Sequence, residues 1–314
     1  MDDRRRMGDA VSDSMAGIGA EHVAPAAPGD VHATPGKGGG TGGGRPPLRS
    51  PVRRRRLRVG LIALMTVALA GAIRLLFPPA VSRYEPRDPV LRSLPLYVYP
   101  AADASRPPRA LVIFFGNDVG FWRPHQRLAE RLASAQYTVV GVDLLPIFAR
   151  LPDEPARRER AFASLVGDVI SRSERELHTG DAPVVIAGHS IGAEVAMWAA
   201  ARVHPAGLQG VLAMAPSVRG HLRATLADRL GRGDPTEPGS FSVADEIRRV
   251  PPGVRIALVR GESDRYRYAD PQLIPAGGAR LEHWAVPFAS HSLRNLLVAG
   301  PIVENALGWT LAPR

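Results

Sequence analysis

A serine hydroxyl is a weak nucleophile until a neighbouring base takes its proton, and a third group must hold that base in the productive tautomer. The sequence carries residues of these three types in a fixed order. Val184-Val185-Ile186-Ala187-Gly188-His189-Ser190-Ile191-Gly192-Ala193 is a β-branched run that passes through Gly-x-Ser-x-Gly into an alanine-rich stretch. A sharp turn between strand and helix would raise the Ser190 hydroxyl above the strand end, with Gly188 and Gly192 leaving room for adjacent backbone. Further on, Gly261-Glu262-Ser263-Asp264 follows the apolar run 255–259. A carboxylate just past a strand end orients an imidazole; Asp264 is the first choice and Glu262 the substitute. The stretch Pro287-Phe288-Ala289-Ser290-His291-Ser292 follows the last apolar run and offers His291 as general base. His283 falls inside a strand pattern, His189 adjoins the serine, and His125 opens a helix too early in the chain, so all three read as structural.

Acyl transfer also needs donors where negative charge develops on the carbonyl oxygen. The Ile191 N–H, just past the serine, is one. The other is expected from Gly116-Asn117-Asp118-Val119-Gly120-Phe121-Trp122, after the apolar run 110–115, with the Asn117 N–H as the candidate. Glu194, one turn beyond Ser190, suits a helix N-terminus; contact with a cationic substrate group is its second reading. The chain has no cysteine, which excludes disulfides, zinc-thiolate sites and thiol catalysis. No cofactor or metal is expected.

The elements that must position these residues follow from the pattern beyond residue 84. Short apolar runs alternate with amphipathic stretches, the signature of a parallel sheet covered by helices. Strands are predicted at 96–99, 110–115, 138–142, 184–187, 208–214, 254–259 and 280–286, and helices at 124–135, 160–177, 191–201 and 293–311. With the serine elbow, this predicts an α/β-hydrolase fold over residues 84–314, mostly parallel and flanked by helices. An insertion at about 217–250 carries Arg219, Arg223, Arg229, Arg232, Arg248 and Arg249 where such enzymes keep a lid. These arginines read as a solvated face or as contacts for lipid phosphates.

The first eighty residues are of a different kind. Residues 1–52 hold two glycine triplets, several prolines and few large apolar side chains, and are expected to be disordered. Arg53, Arg54, Arg55, Arg56 and Arg58 then precede an apolar run ending at Phe77 and a Pro78-Pro79 stop. As a helix, residues 57–77 would rise about 31 Å, enough for one crossing of a hydrocarbon core. The segment 53–79 therefore reads as a membrane anchor, and its basic flank predicts a cytoplasmic N-terminus with the domain periplasmic or extracellular. A cleaved signal with a twin-arginine-like start and a site near Ala80-Val81-Ser82 is the competing reading. The net charge of +10 is concentrated in Arg4 to Arg6 and the cluster before the anchor, without an aromatic-basic motif, so no nucleic-acid partner is expected.

Four blocks together resemble the VirJ/AcvB family of bacterial virulence-associated periplasmic hydrolases. They are Phe114 to Trp122, Val139-Val140-Gly141-Val142-Asp143, Gly188-His189-Ser190-Ile191-Gly192-Ala193-Glu194 and Gly261 to Asp264. The resemblance spans roughly residues 110–311 and departs from the family at Asn117 and Val119, where small residues are usual, and at His189, where tyrosine is frequent. It implies an exported α/β-hydrolase that cleaves an aminoacylated phosphatidylglycerol or a related lipid ester. The residues alone equally accommodate a lipase, a thioesterase or a peptidase, and a hydrolase-fold binding or assembly factor without turnover.

Overall fold

The computed structural model describes residues 78, 80–225, 234–292 and 296–313. Apart from Pro78, the tail and anchor expected at 1–52 and 53–79 lie outside these residues. Among the described residues no helix is long and apolar enough to cross a membrane.

Seven strands form the central sheet: β1 (Leu96–Tyr99), β2 (Leu111–Phe115), β3 (Thr138–Val142), β4 (Val184–His189), β5 (Leu208–Met214), β8 (Arg255–Gly261) and β9 (Leu281–Val286). Their order is β1-β3-β2-β4-β5-β8-β9, and only β1, at the edge, runs antiparallel to its neighbour. Strands covered on both faces read as unbroken apolar runs, and β2 and β3 are buried at every position. Alternate side chains divide between two cores. Leu111, Ile113 and Phe115 join one layer with Phe162 and Trp198; Val112 and Phe114 join the other with Leu128, Leu132 and Val303.

The helices are α1 (Pro89–Ser93), α2 (Arg123–Ser134), α3 (Leu144–Phe148), α4 (Pro155–Glu176), α5 (Ile191–Arg202), α6 (Val243–Arg249), α7 (Asp270–Gly277) and α8 (Leu296–Thr310). The long helix α4 begins five residues before its expected start. Glu154 caps it by accepting from the Ala156 and Arg157 amides, and Pro155 occupies the first turn, where a missing N–H costs nothing. The arginines at 157, 158 and 160 interrupt the apolar period there, which hides the start. Helix α5 is buried at every residue from Ile191 to Ala201, because it lies between the sheet and α6. Its apolar surface all round is the consequence.

The expected lid region contains two ordered elements. Strands β6 (Arg219–His221) and β7 (Ser240–Ser242) pair as an antiparallel hairpin, and α6 follows with Val243, Ala244, Glu246 and Ile247 buried. Its second half is thus part of the core. Both elements are too short to carry a periodic signal. Several arginines are held by the protein itself: Arg219 bonds the Pro235 carbonyl and Ser240, Arg248 pairs with Asp245, and Arg249 pairs with Glu246. Arg229 and Arg232 lie outside the described residues.

Trp198 is the largest side chain sealed in this core, packed against Phe162 on α4. Trp198→Ala should lower unfolding free energy by about 4 kcal/mol, read from the midpoint of a urea transition. A loss below about 1 kcal/mol would mean that α5 is not pinned between sheet and helix.

Candidate active site

Strand β4 and helix α5 meet at Ser190, whose backbone sits at φ 56°, ψ −126°, a region costly for any residue with a Cβ. The turn is held from both sides: the Ser190 N–H donates to the Met214 carbonyl (2.9 Å), and the Ser190 carbonyl accepts from Ala193 (2.7 Å). A Cβ on Gly188 would lie 1.9 Å from the Gly192 carbonyl oxygen, and one on Gly192 would lie 2.2 Å from that of Gly116. The elbow therefore needs glycine at both places, and the start of α5 presses directly on the loop that follows β2. Ile191 donates the first amide of α5, which no carbonyl of its own helix can reach.

The structure brings Ser190, His291 and Asp264 into one hydrogen-bonded chain. His291 Nε2 is 2.9 Å from Ser190 Oγ, and His291 Nδ1 is 3.1 Å from Asp264 Oδ1. Asp264 accepts the Nδ1 proton, so Nε2 presents its lone pair to the serine hydroxyl. Glu262, the substitute acid, is exposed, and its carboxylate accepts from the Phe288 amide instead.

Two supports of this chain were not recognised as such in the sequence. Arg260, buried at 1% exposure, donates to Asp264 Oδ2 (3.0 Å), Asp270 Oδ1 (3.0 Å) and the Pro216 carbonyl (2.7 Å). The only signal was an arginine next to the end of an otherwise apolar strand, four residues before an aspartate. The other support is His189, also buried, whose Nε2–H donates to the His291 carbonyl (2.9 Å) and fixes the backbone of the base. Burial, then the nearby His291, push the His189 imidazole down to about 3, so it donates as a neutral ring. Burial likewise holds His125 well below the ordinary histidine range, and it packs between Phe121 and Phe114. His283 lies 3.6 Å from Asp270, away from the serine.

Asn117 is buried at the start of the loop that meets α5, where its carbonyl accepts from Gly120 and its side-chain oxygen from Val119. Asp143, past the end of β3, steadies the far side of that loop. It caps α3 through the Leu145 amide (3.0 Å), and a Cβ on Gly120 would lie 2.8 Å from its Oδ2. Burial raises the Asp143 carboxyl, against the pull of the Leu145 and Phe121 amides. The cleft at Ser190 and His291 is also lined by Glu194, Asp118 and Tyr266. Glu194 Oε1 accepts from the Ser217 amide (3.1 Å) and hydroxyl (2.6 Å), so this carboxylate is fixed beside the serine.

Burial works to raise the Asp264 carboxyl, but the bond from His291, the charge of that ring, the Tyr266 amide and Arg260 outweigh it and hold it at about 2, against an ordinary value of 3.8. A lowered folded value means stability that is present above about pH 4 and is lost as pH falls toward 2. Asp264→Asn should therefore remove about 2 kcal/mol at neutral pH and flatten the part of the stability curve between about pH 4 and 2. Urea unfolding at stepped pH measures it; an unchanged acid limb would contradict the assignment.

No family model matches the chain, and no curated protein does. Solved structures do. TT1662 from Thermus thermophilus aligns over 74% of this chain and 98% of its own, at 19% identity and a TM-score of 0.50. Est1E from Butyrivibrio proteoclasticus aligns over 69% and 94%, at 13% identity and 0.52. A Klebsiella pneumoniae subsp. pneumoniae protein assigned as a dienelactone hydrolase aligns over 69% and 91%, at 18% identity and 0.51. With the strand order and the serine elbow, these likenesses show that the chain has the α/β-hydrolase fold.

Proposed function

We propose that the protein is a serine hydrolase that cleaves an ester through an acyl-enzyme, held at the membrane by its apolar N-terminal segment with the domain outside the cytoplasm. The observation that carries this reading is the unbroken chain from Asp264 through His291 to a serine on a strained elbow. Ser190 Oγ attacks the ester carbonyl carbon while its proton passes to His291 Nε2. The Ile191 and Asn117 amides receive the developing oxyanion. The imidazolium, stabilised by Asp264, returns the proton to the departing alcohol, and water activated by the same ring then releases the acid.

For the substrate, the resemblance to VirJ/AcvB suggests an aminoacyl ester of phosphatidylglycerol, and the electrostatics of the cleft agree with it. The α-ammonium of an aminoacyl ester lies two bonds from the reacting carbon. Glu194 and Asp118 put negative charge at the edge of the same cleft as Ser190. A neutral acyl group would gain nothing from these carboxylates.

A fluorophosphonate probe should label the wild-type chain and not Ser190→Ala, and the variant should lose about 10⁴-fold or more in kcat. Absence of labelling in both would favour a binding or assembly factor built on the same fold. Glu194→Gln keeps the acceptor for Ser217 but removes the charge. It should lower kcat/KM for aminoacyl esters about tenfold while leaving neutral esters of the same alcohol nearly unchanged. Equal effects on both would remove the aminoacyl substrate, as would unaltered aminoacyl-lipid levels in a strain carrying Ser190→Ala.

A further inference from the structure

Three large hydrophobic side chains are exposed among the described residues: Val81 at 61%, Tyr268 at 51% and Phe288 at 90%. Single exposed apolar residues need no explanation. Two of them, however, belong to the end of the domain that carries Ser190. Phe288 lies two residues past β9, and Tyr268 lies on the 3₁₀ turn Arg265–Ala269 that follows β8 and Asp264. Both loops leave the carboxyl ends of parallel strands, as the serine elbow does. Val81 sits apart from them, its N–H on Gln126 of α2 and its carbonyl accepting from the Tyr99 hydroxyl at the end of β1. Phe288 is also held at φ 57°, with its N–H on the Glu262 carboxylate, a backbone state unfavourable for a bulky residue.

The path of the chain gives this face a direction. The Pro78 carbonyl accepts from Arg123 N–H (3.0 Å), the first residue of α2, so the polypeptide reaches the domain at its active-site end. Pro78 directly follows the apolar run that ends at Phe77. Four residues from Phe77 to Val81 span at most about 14 Å when fully extended. If that run crosses a bilayer, the first turn of α2 is confined to the membrane surface. Arg123, Arg265 and Arg267 are exposed at the same end and match anionic headgroups.

We propose that the domain docks on the bilayer that anchors it, active-site end down, with Phe288 entering the acyl boundary and Tyr268 seated at headgroup level. The proposal rests on the tethered reading above and adds an orientation: the ester reaches Ser190 from the lipid side. Burying one phenylalanine side chain is enough to hold a tethered domain on a surface that the anchor keeps within reach.

Because the chain has no cysteine, one introduced residue reports on one place. Phe288→Cys and, at the opposite end between β1 and β2, the exposed Ser105→Cys would each carry a nitroxide in the full-length protein, reconstituted in vesicles of phosphatidylcholine and phosphatidylglycerol (three to one). At position 288 collisions with oxygen should exceed those with a water-soluble nickel chelate; at position 105 the nickel chelate should prevail. A chain that stays with the vesicles while both labels face water overturns the docking alone, and dipolar broadening between labels at 288 would assign the face to a second copy. A chain that does not stay with the vesicles overturns the tether and the docking together. Phe288→Ser should also slow hydrolysis of p-nitrophenyl laurate carried in the vesicles about tenfold and leave aqueous p-nitrophenyl acetate unchanged. Equal losses would place Phe288 in support of the His291 loop and overturn the proposal.

Discussion

Three stretches of backbone touch where no side chain fits, and the geometry of the site depends on that contact. Gly188 lies against the carbonyl of Gly192, and Gly192 against that of Gly116. The first closes the elbow under Ser190. The second sets the beginning of α5 against the loop after β2, so the Ile191 amide and the Asn117 region reach the cleft as one rigid unit. Strain at Ser190 persists because the sheet on one side and a fully buried helix on the other over-determine its dihedral angles.

The second constraint is electrostatic. A buried carboxylate is tolerated only when its charge is compensated. Arg260 spans Asp264 and Asp270 and also satisfies the Pro216 carbonyl, so one guanidinium joins β8, the turn after it, α7 and the segment after β5. Asp264 can then stay ionised away from water and keep the His291 ring in one tautomer. The arrangement costs little in local strain, because each hydrogen bond on Arg260 has an acceptor. Losing the guanidinium would remove the cation that Asp264 and Asp270 share.

Much of this was legible from residue pattern alone. Strands β1, β3 and β5 fall at their expected bounds, because short, largely apolar runs flanked by turn residues leave little ambiguity. Ser190, Asp264 and His291 are legible for a related reason: each stands in the turn or loop after an apolar run. Contacts between distant segments left less trace. Nothing near residue 260 announces a partner at 270 or at 216, and the bond from His189 to the His291 carbonyl joins positions 102 residues apart. Asp143 is marked in the sequence only by its place in a block that resembles a known family; its work, steadying the 116–122 loop from the end of β3, is a tertiary fact. Short elements such as α3, α6 and the β6–β7 hairpin have too few residues for periodicity to speak.

The two groups that brace the base loop behave oppositely toward protons, and both choices favour constancy. An aspartate kept ionised to about pH 2 and an imidazole kept neutral to about pH 3 do not change state during moderate acidification. The loop around residue 291 therefore keeps both of its braces while the medium acidifies.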